Sequence, residues 1–502
     1  LDEVKMPLIP LNIPKGQYRN GTEYMSMNRW RDANLIRWHE DALRPVGGWR
    51  PRYVNTASAV SLSGTVRGMH AWRDNSGGCF VAFGMHDSLY IMNSSGTTTD
   101  ITPTALTDGR VHATANTGWG AAAWGDFDWG TERPDLGSIL DATAWSLDNF
   151  GENLLAMSPD DGKLYERAPG GAGAATQVSN APTNCDCMMV TEERFVFCFG
   201  GGTNPRLVQW SDQEDNTTWT AAATNQAGDI ELQTNGRIMQ GLRTRGQALI
   251  LTDQDAHAAT YQGPPFVYGF ERVGTSCGVI SRRAAASVDL GVIWMGLRGF
   301  YIYSGGRVQE VPCEVADYVF SDMNNDQRSE VSAVINSQWN EIWWFYPSGN
   351  SIENDRYVAY DYVENIWTTG DLERTSGVDR GVFRLPFWID ADGNLYEHEV
   401  GFDYDGATPY AETGPISIGT GDNIMSVTQV IPDEKTQGDA RLVFKTRNYP
   451  NAQESEHGPY STANPTPVRF QGRQVRMKVE GVETADWRVG IMRLDARQGS
   501  KR

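Results

Sequence analysis

Lysine is scarce in this chain: seven of 502 residues (Lys5, Lys15, Lys163, Lys435, Lys445, Lys478 and Lys501), against 36 arginines. The 43 basic residues face 63 Asp and Glu, a net charge of −20. A protein that grips nucleic acid neutralises phosphates with a positive face, and this composition excludes that class. Long apolar runs are also missing. No window approaches the roughly 18 apolar residues of a membrane-spanning helix, and residues 1–14, with Asp2 and Glu3, lack the apolar core of a signal peptide. Cysteine is sparse: Cys79, Cys185, Cys187, Cys198, Cys277 and Cys313 form no CxxC pair, and Cys185-Asp-Cys187 is too close for the usual zinc spacing. Reduced core thiols in a reducing compartment are expected. The seven histidines (39, 70, 86, 112, 257, 398 and 457) make no HxxxH or HExxH pattern, and there is no phosphate-binding loop or dinucleotide fingerprint. No metal and no cofactor is expected. Helical periodicity is almost absent.

What is present is glycine (53) and aromatic side chains (17 Trp, 19 Tyr, 17 Phe), a density that buries enough surface to exclude disorder. The length allows about three domains, or one large repeat domain with appendages. Repetition decides between these. A short strand, a polar turn, a second strand and a third bearing an aromatic recur seven times. The copies centre on 67–92, 144–166, 187–210, 237–261, 286–303, 331–360 and 386–397. With Tyr90, Tyr165, Gln209, Tyr261, Tyr301, Ala359 and Tyr396 as marks, most spacings suit propeller blades of about 40–50 residues. The longest gap holds Gly118-Trp-Gly and Trp124-Gly-Asp-Phe-Asp-Trp-Gly130, an aromatic loop or an irregular extra blade.

The expected architecture is all-β: a six- or seven-bladed β-propeller over 61–410, an N-terminal assembly segment over 1–60, and a small β domain over 411–502 to which the N-terminus could contribute. Asn28 to His39 reads as a helix or an extended arm. Alternation of Val475, Met477 and Val479 with Arg476 and Lys478 reads as a half-buried strand. Charge divides along the same lines. Residues 1–53 hold nine bases against six acids and 463–502 nine against four, which leaves −28 on the middle. The densest stretch, 351–412, has fourteen acids and four arginines.

Three motifs invite a chemical reading. Gly274-Thr-Ser-Cys-Gly278 matches the G-x-S-x-G nucleophile elbow, which needs a strand-to-helix turn that the all-β pattern around it does not supply. Asp390-Ala-Asp-Gly-Asn394 begins like a calcium loop but has Gly401 at the twelfth position, so an Asx turn closing a hairpin is expected. Asp371 with Glu373, and Glu397 with Glu399, place carboxylates two apart as glycoside hydrolysis could use them. Acids spread over the whole region favour a solvated or lumen-facing surface instead. No enzyme is expected.

The run Glu271-Arg-Val-Gly-Thr-Ser-Cys-Gly278, Gly291-Val-Ile-Trp-Met295, Gly299-Phe-Tyr-Ile-Tyr303 and Gly306-Arg-Val-Gln-Glu-Val-Pro312 resembles the central region of tail nozzle (distal tail tubular) proteins of short-tailed bacteriophages. So do Asn340-Glu-Ile-Trp-Trp-Phe-Tyr-Pro-Ser348, Glu353-Asn-Asp-Arg-Tyr-Val358, Trp367, Arg374-Thr375 and Leu395-Tyr-Glu-His-Glu-Val-Gly401. Trp30 to Arg37 and Gly47-Gly-Trp-Arg-Pro51 are similar to that family's N-terminal region. The resemblance implies a virion structural protein without catalytic residues, assembled in the host bacterial cytoplasm and located in the virion tail. It implies a homo-hexamer below the tail adaptor, beside tail fibres or spikes, whose channel holds and passes double-stranded DNA without binding it specifically and without membrane insertion. On this reading some of Asp371, Glu373, Glu397, Glu399, Asp403 and Asp405 face the lumen, where like charge repels phosphate. Arg473, Arg476 and Lys478 are candidates for contacts between subunits. The competing reading is a carbohydrate-binding or glycan-cleaving propeller; a receptor-binding fibre would show a fibrous repeat.

Overall fold

The computed structural model describes residues 8–54, 58–115, 139–416, 423–462, 464–482 and 484–498. Seven four-stranded antiparallel sheets follow one another around a ring. Blade 1 is Gly68–Arg73, Cys79–Gly84, Leu89–Asn93 and Thr98–Asp100; blade 2 is Ser146–Phe150, Asn153–Met157, Leu164–Arg167 and Thr176–Gln177. Blade 3 runs Cys187–Val190, Val196–Phe199, Leu207–Trp210, Gly228–Glu231, and blade 4 Ile238–Thr244, Gln247–Thr252, Asp255–Gly263, Val267–Thr275. Blade 5 is Ala285–Val288, Gly291–Met295, Phe300–Ser304, Arg307–Val311, and blade 6 Ser332–Asn336, Glu341–Tyr346, Arg356–Asp361, Ile366–Asp371. Each first strand lies beside the first strands of the two neighbouring blades, and the series closes from blade 7 back to blade 1. The fold is a seven-bladed β-propeller.

Every one of the seven repeat marks falls on the third strand of its blade. The second strands carry the apolar runs: Val292 to Met295 and all six residues of Glu341–Tyr346 are buried. A blade's central strands are covered on both faces by the adjacent blades, so they read as continuous apolar stretches rather than as alternation. Trp294, Trp344 and Trp367 meet there between blades 5 and 6 in one aromatic core. Each side chain of this kind contributes about 1.5–3 kcal/mol relative to exposure.

Blade 7 is built differently. Ser376–Val378, Phe387–Ile389 and Leu395–His398 receive their fourth strand from Trp49–Pro51, with Glu397 opposite Arg50. The ring is therefore closed by a strand from the N-terminal segment, which the sequence reading left outside the propeller. Gly47 and Gly48 make the approach feasible: a Cβ on Gly47 would lie 2.4 Å from Oε2 and 2.6 Å from Cα of Glu399, and one on Gly48 2.4 Å from the Asp403 carbonyl.

The chain ends form a second body. A five-stranded sheet of Trp30–Asn34, Tyr410–Thr413, Gln474–Gly481, Ala440–Arg447 and Ser455–Ser461 shares one core with a four-stranded sheet of Ile9–Pro10, Arg493–Gln498, Met425–Ile431 and Thr466–Gly472. The small β domain thus takes strands from both ends. Val475, Met477 and Val479 are buried in it while Arg476 and Lys478 point outward. Asn28 to His39 is extended, not helical: Ile36–His39 and Ala42–Pro45 form a hairpin whose turn, Glu40-Asp41, has φ of 50° and 64° as a two-residue hairpin turn requires. In the long gap after blade 1, Thr114–Ala115 pairs with Ile139–Leu140. Gly118-Trp-Gly and Trp124 to Gly130 lie outside the described residues.

Candidate functional site

Two of the charged residues singled out by the sequence, Glu397 and Glu399, lie at the seam where blade 7 meets the N-terminal segment. Arg37 sits in the apolar run Leu35-Ile-Arg-Trp38, with 4% of its side chain exposed. An arginine there must bring its anion with it, and it brings two. Its Nε and Nη2 donate to the carboxylate oxygens of Glu341 at 2.8 Å each, and its Nη1 and Nη2 to those of Glu399 at 3.0 and 2.7 Å. The Trp339 ring lies 4.4 Å from the guanidinium. Glu399 also accepts from Asn336 Nδ2, Trp339 Nε1 and the Gly47 amide. One guanidinium serves two buried carboxylates, so they part company. Burial pushes the Glu341 carboxyl up, whereas the charge and hydrogen bonds of Arg37, aided by Asn336 and Trp339, outweigh burial and hold Glu399 below the ordinary range.

Glu397, two residues away, is also buried and accepts from Arg50 Nε at 2.8 Å and Arg52 Nη1 at 2.8 Å. These contacts correct the lumen assignment for Glu397 and Glu399: both carboxylates are enclosed and neutralised by N-terminal arginines within the chain, and neither presents charge to an open wall. The other four candidates are exposed. Asp371 ends blade 6, 70% exposed and 3.5 Å from Arg356 Nε. Glu373 lies between blades 6 and 7, where partial burial and then the charge of Asp390 push its carboxyl up. Asp403 and Asp405 occupy the loop that leaves blade 7, and Asp405 accepts from Trp49 Nε1 at 2.5 Å.

Beneath this loop Arg374 is 4% exposed, between the rings of Trp49 (5.1 Å) and Tyr396 (4.4 Å). Its Nε donates to Nε2 of His398, itself stacked on Trp388 at 4.1 Å. Burial, and then the charge of Arg374, keep the His398 imidazole neutral well below its ordinary range, and burial brings Arg374 down to about 10.

The basic C-terminal candidates are engaged inside the chain as well. Arg476 pairs with Glu412 and, at 3.2 Å, with Glu454; Lys478 pairs with Glu480 at 2.8 Å and covers the Tyr410 ring. Arg473 is half-buried in the turn between Thr466–Gly472 and Gln474–Gly481. Arg476 and Lys478 therefore brace the β domain from within, because the fold returns Glu412 and Glu480 to the same sheet.

The motifs resolve structurally. Ser276 sits at φ 55° in the exposed turn after blade 4, where its carbonyl accepts from Tyr301, and no helix follows. The Asp390 carboxylate accepts from the amide and side chain of Asn394 and from Tyr396, closing the blade 7 hairpin as an Asx turn does. Sequence reasoning missed Arg37 and Arg374. The signal was available for the first, a lone arginine inside an apolar run.

No family model matches the sequence, and no curated protein matches it. Among solved structures, the chain is similar to a streptogramin B lyase (10% identity, 70% of this chain and 97% of that one, TM-score 0.39) and to virginiamycin B lyase from Staphylococcus aureus (8%, 70% and 99%, 0.42). It is likewise similar to the β-propeller domain of Cps50 from Myceliophteria thermophila (8%, 70% and 99%, 0.40). These likenesses concern the propeller fold alone.

Proposed function

We propose that the chain is a structural, non-enzymatic component of a bacteriophage virion tail, six copies forming a nozzle ring at the distal end of a short tail. The ring retains the genome and provides the channel for its ejection, with the tail adaptor above and fibres or spikes alongside. The observation that carries this reading is what folding does to the charge. Arg37, Arg50, Arg52, Arg476 and Lys478 are drawn into ion pairs within the chain, while Asp371, Glu373, Asp403 and Asp405 stay exposed. A surface left acidic in this way lets duplex DNA slide, since a basic wall would hold it through counterion release. On this reading the DNA path runs between subunits, where a rotationally closed ring leaves its lumen.

Electron microscopy of the purified protein tests the assembly: six-fold rings are expected, and a monomer that binds glycans would overturn it. Immunogold labelling of virions tests the location. Gold away from the tail tip would sink the proposal.

A further inference from the structure

All seven innermost strands run the same way along the propeller axis, so the residues that precede them gather at one mouth. Arg67 precedes blade 1 there and Glu330 blade 6. The connection from blade 1 to blade 2 crosses the same mouth and carries His112, and the loop between the second and third strands of blade 6 delivers Glu353.

These side chains converge. Nδ1 of His112 lies 3.2 Å from Oε1 of Glu330 and 3.2 Å from Oε1 of Glu353, and all three ligand atoms fall within 4.8 Å of one another. Three donors bound tetrahedrally at about 2.1 Å stand about 3.4 Å apart, so both edges already have the size an ion needs. Glu330 is completely buried, yet its Oε2 has no hydrogen-bond partner. Arg67, equally buried, donates to both Glu353 oxygens at 2.6 and 3.1 Å and stands 3.2 Å from Oε1 of Glu330. Arg67 thus holds the two carboxylates side by side. Arg283, a second cation beside them, gives its donors to the carbonyls of Thr375 and Glu330 rather than to the carboxylates.

The surroundings hold the donors in place. The Gln327 amide accepts from the Ala113 N–H and donates to the Ala113 carbonyl, both at 2.9 Å, which fixes the residue next to His112. Asn354 Nδ2 donates to the Glu330 carbonyl at 3.0 Å. Arg67 takes the outer position, hydrogen-bonded to the carboxylates and setting their orientation. His112, one-third exposed, leaves a way in from solvent.

We propose that His112, Glu330 and Glu353 bind one divalent first-row transition ion, of which zinc is representative, and that the ion pins the blade 1–2 connection across the propeller mouth. An imidazole with two carboxylates suits such an ion, whereas calcium and magnesium take all-oxygen sets. The role is a clamp between segments more than 200 residues apart in sequence, and the site stands independently of the tail assignment.

The test uses the full chain, stripped with a chelator and titrated with Zn2+ by calorimetry and with Co2+ by visible absorption. One ion per chain is expected, with affinity falling at least about 100-fold in His112→Ala and Glu353→Gln, beyond the 10–100-fold typical of losing an outer-shell partner. X-ray absorption on the zinc-loaded wild type, which needs no variant to fold, should show nitrogen and oxygen neighbours including one imidazole. Failure to bind stoichiometrically, unchanged affinity in both folded variants, or sulfur neighbours from Cys185, Cys187 or Cys198 would overturn the site.

Discussion

Replacing Arg37 by Met keeps the length and apolar stem of the side chain and removes its charge. In the folded protein that change strands two carboxylates, Glu341 and Glu399, with 7% and 6% of their side chains exposed. Four charge-assisted hydrogen bonds of 2.7–3.0 Å disappear. Removing one partner of a buried ion pair costs about 3–5 kcal/mol, mostly because the other is left uncompensated. Here two are left, and the three other donors to Glu399, with Trp343 Nε1 on Glu341, soften the loss in part. Urea unfolding at pH 7, followed through tryptophan fluorescence, should therefore lose about 3–5 kcal/mol in Arg37→Met. Adding Glu399→Gln to the variant should return part of it, with a coupling of about 1–3 kcal/mol. The sign of the pH dependence is fixed too. Wild-type Glu399, held below its ordinary value, contributes stability above pH 4.5 that is lost as pH falls further, while the stranded carboxylates of the variant gain by protonation. The gap between the proteins should close on acidification. A difference below about 1 kcal/mol at pH 7, the range of exposed pairs, would refute the picture of a dry, charge-matched seam.

Three further outcomes follow from the same region. Gly47→Ala drives a Cβ into the backbone and carboxylate of Glu399, and overpacking of this kind should lower stability by about 1–3 kcal/mol in a thermal melt; an unchanged melt would show that the blade 7 closure yields freely. Glu397→Ala leaves Arg50 and Arg52 without their anion, and tryptic cleavage after Arg52 should accelerate; unaltered digestion kinetics would mean that the closing strand does not depend on the pair. His398 is held neutral in the fold, so its contribution is complete above pH 6.5 and declines as pH falls below it; His398→Gln, which keeps an acceptor for Arg374, should flatten the urea midpoint just below pH 6.5, and an identical slope would refute the assignment.

The propeller was legible, with six and seven blades both left open, because covering both faces of a strand leaves a mark no surface element shares. The apolar runs at Val292 to Met295 and Ile342 to Tyr346, each followed by a third strand with an aromatic or a neutral residue at the mark, recur with the ring itself. Trp49–Pro51 was not legible as a blade strand: three residues ending in proline carry no periodicity, and their partner lies some 345 residues on. Charge misled for a related reason. A linear sequence shows that acids crowd 351–412 and bases crowd the ends, but it cannot show that Arg37, Arg50 and Arg52 fold back onto those acids, so a division along the chain looked like a division over the surface. His112, Glu330 and Glu353 share no spacing at all, and only the common direction of the innermost strands brings them together.

The closure of blade 7 also sets a clock on synthesis. Trp49–Pro51 leaves the ribosome before any blade exists, and its partner Leu395–His398 emerges only about 350 residues later, a wait of roughly 20–70 s at 5–20 residues per second. Throughout that interval the nascent chain carries a strand with nothing to pair with, the kind of edge that recruits strangers. Arg50, Pro51 and Arg52 are suited to the delay: two charges repel other copies emerging alongside, and a proline withholds the amide that a wrong partner would need. The residues that lock the finished ring guard it while it is still open.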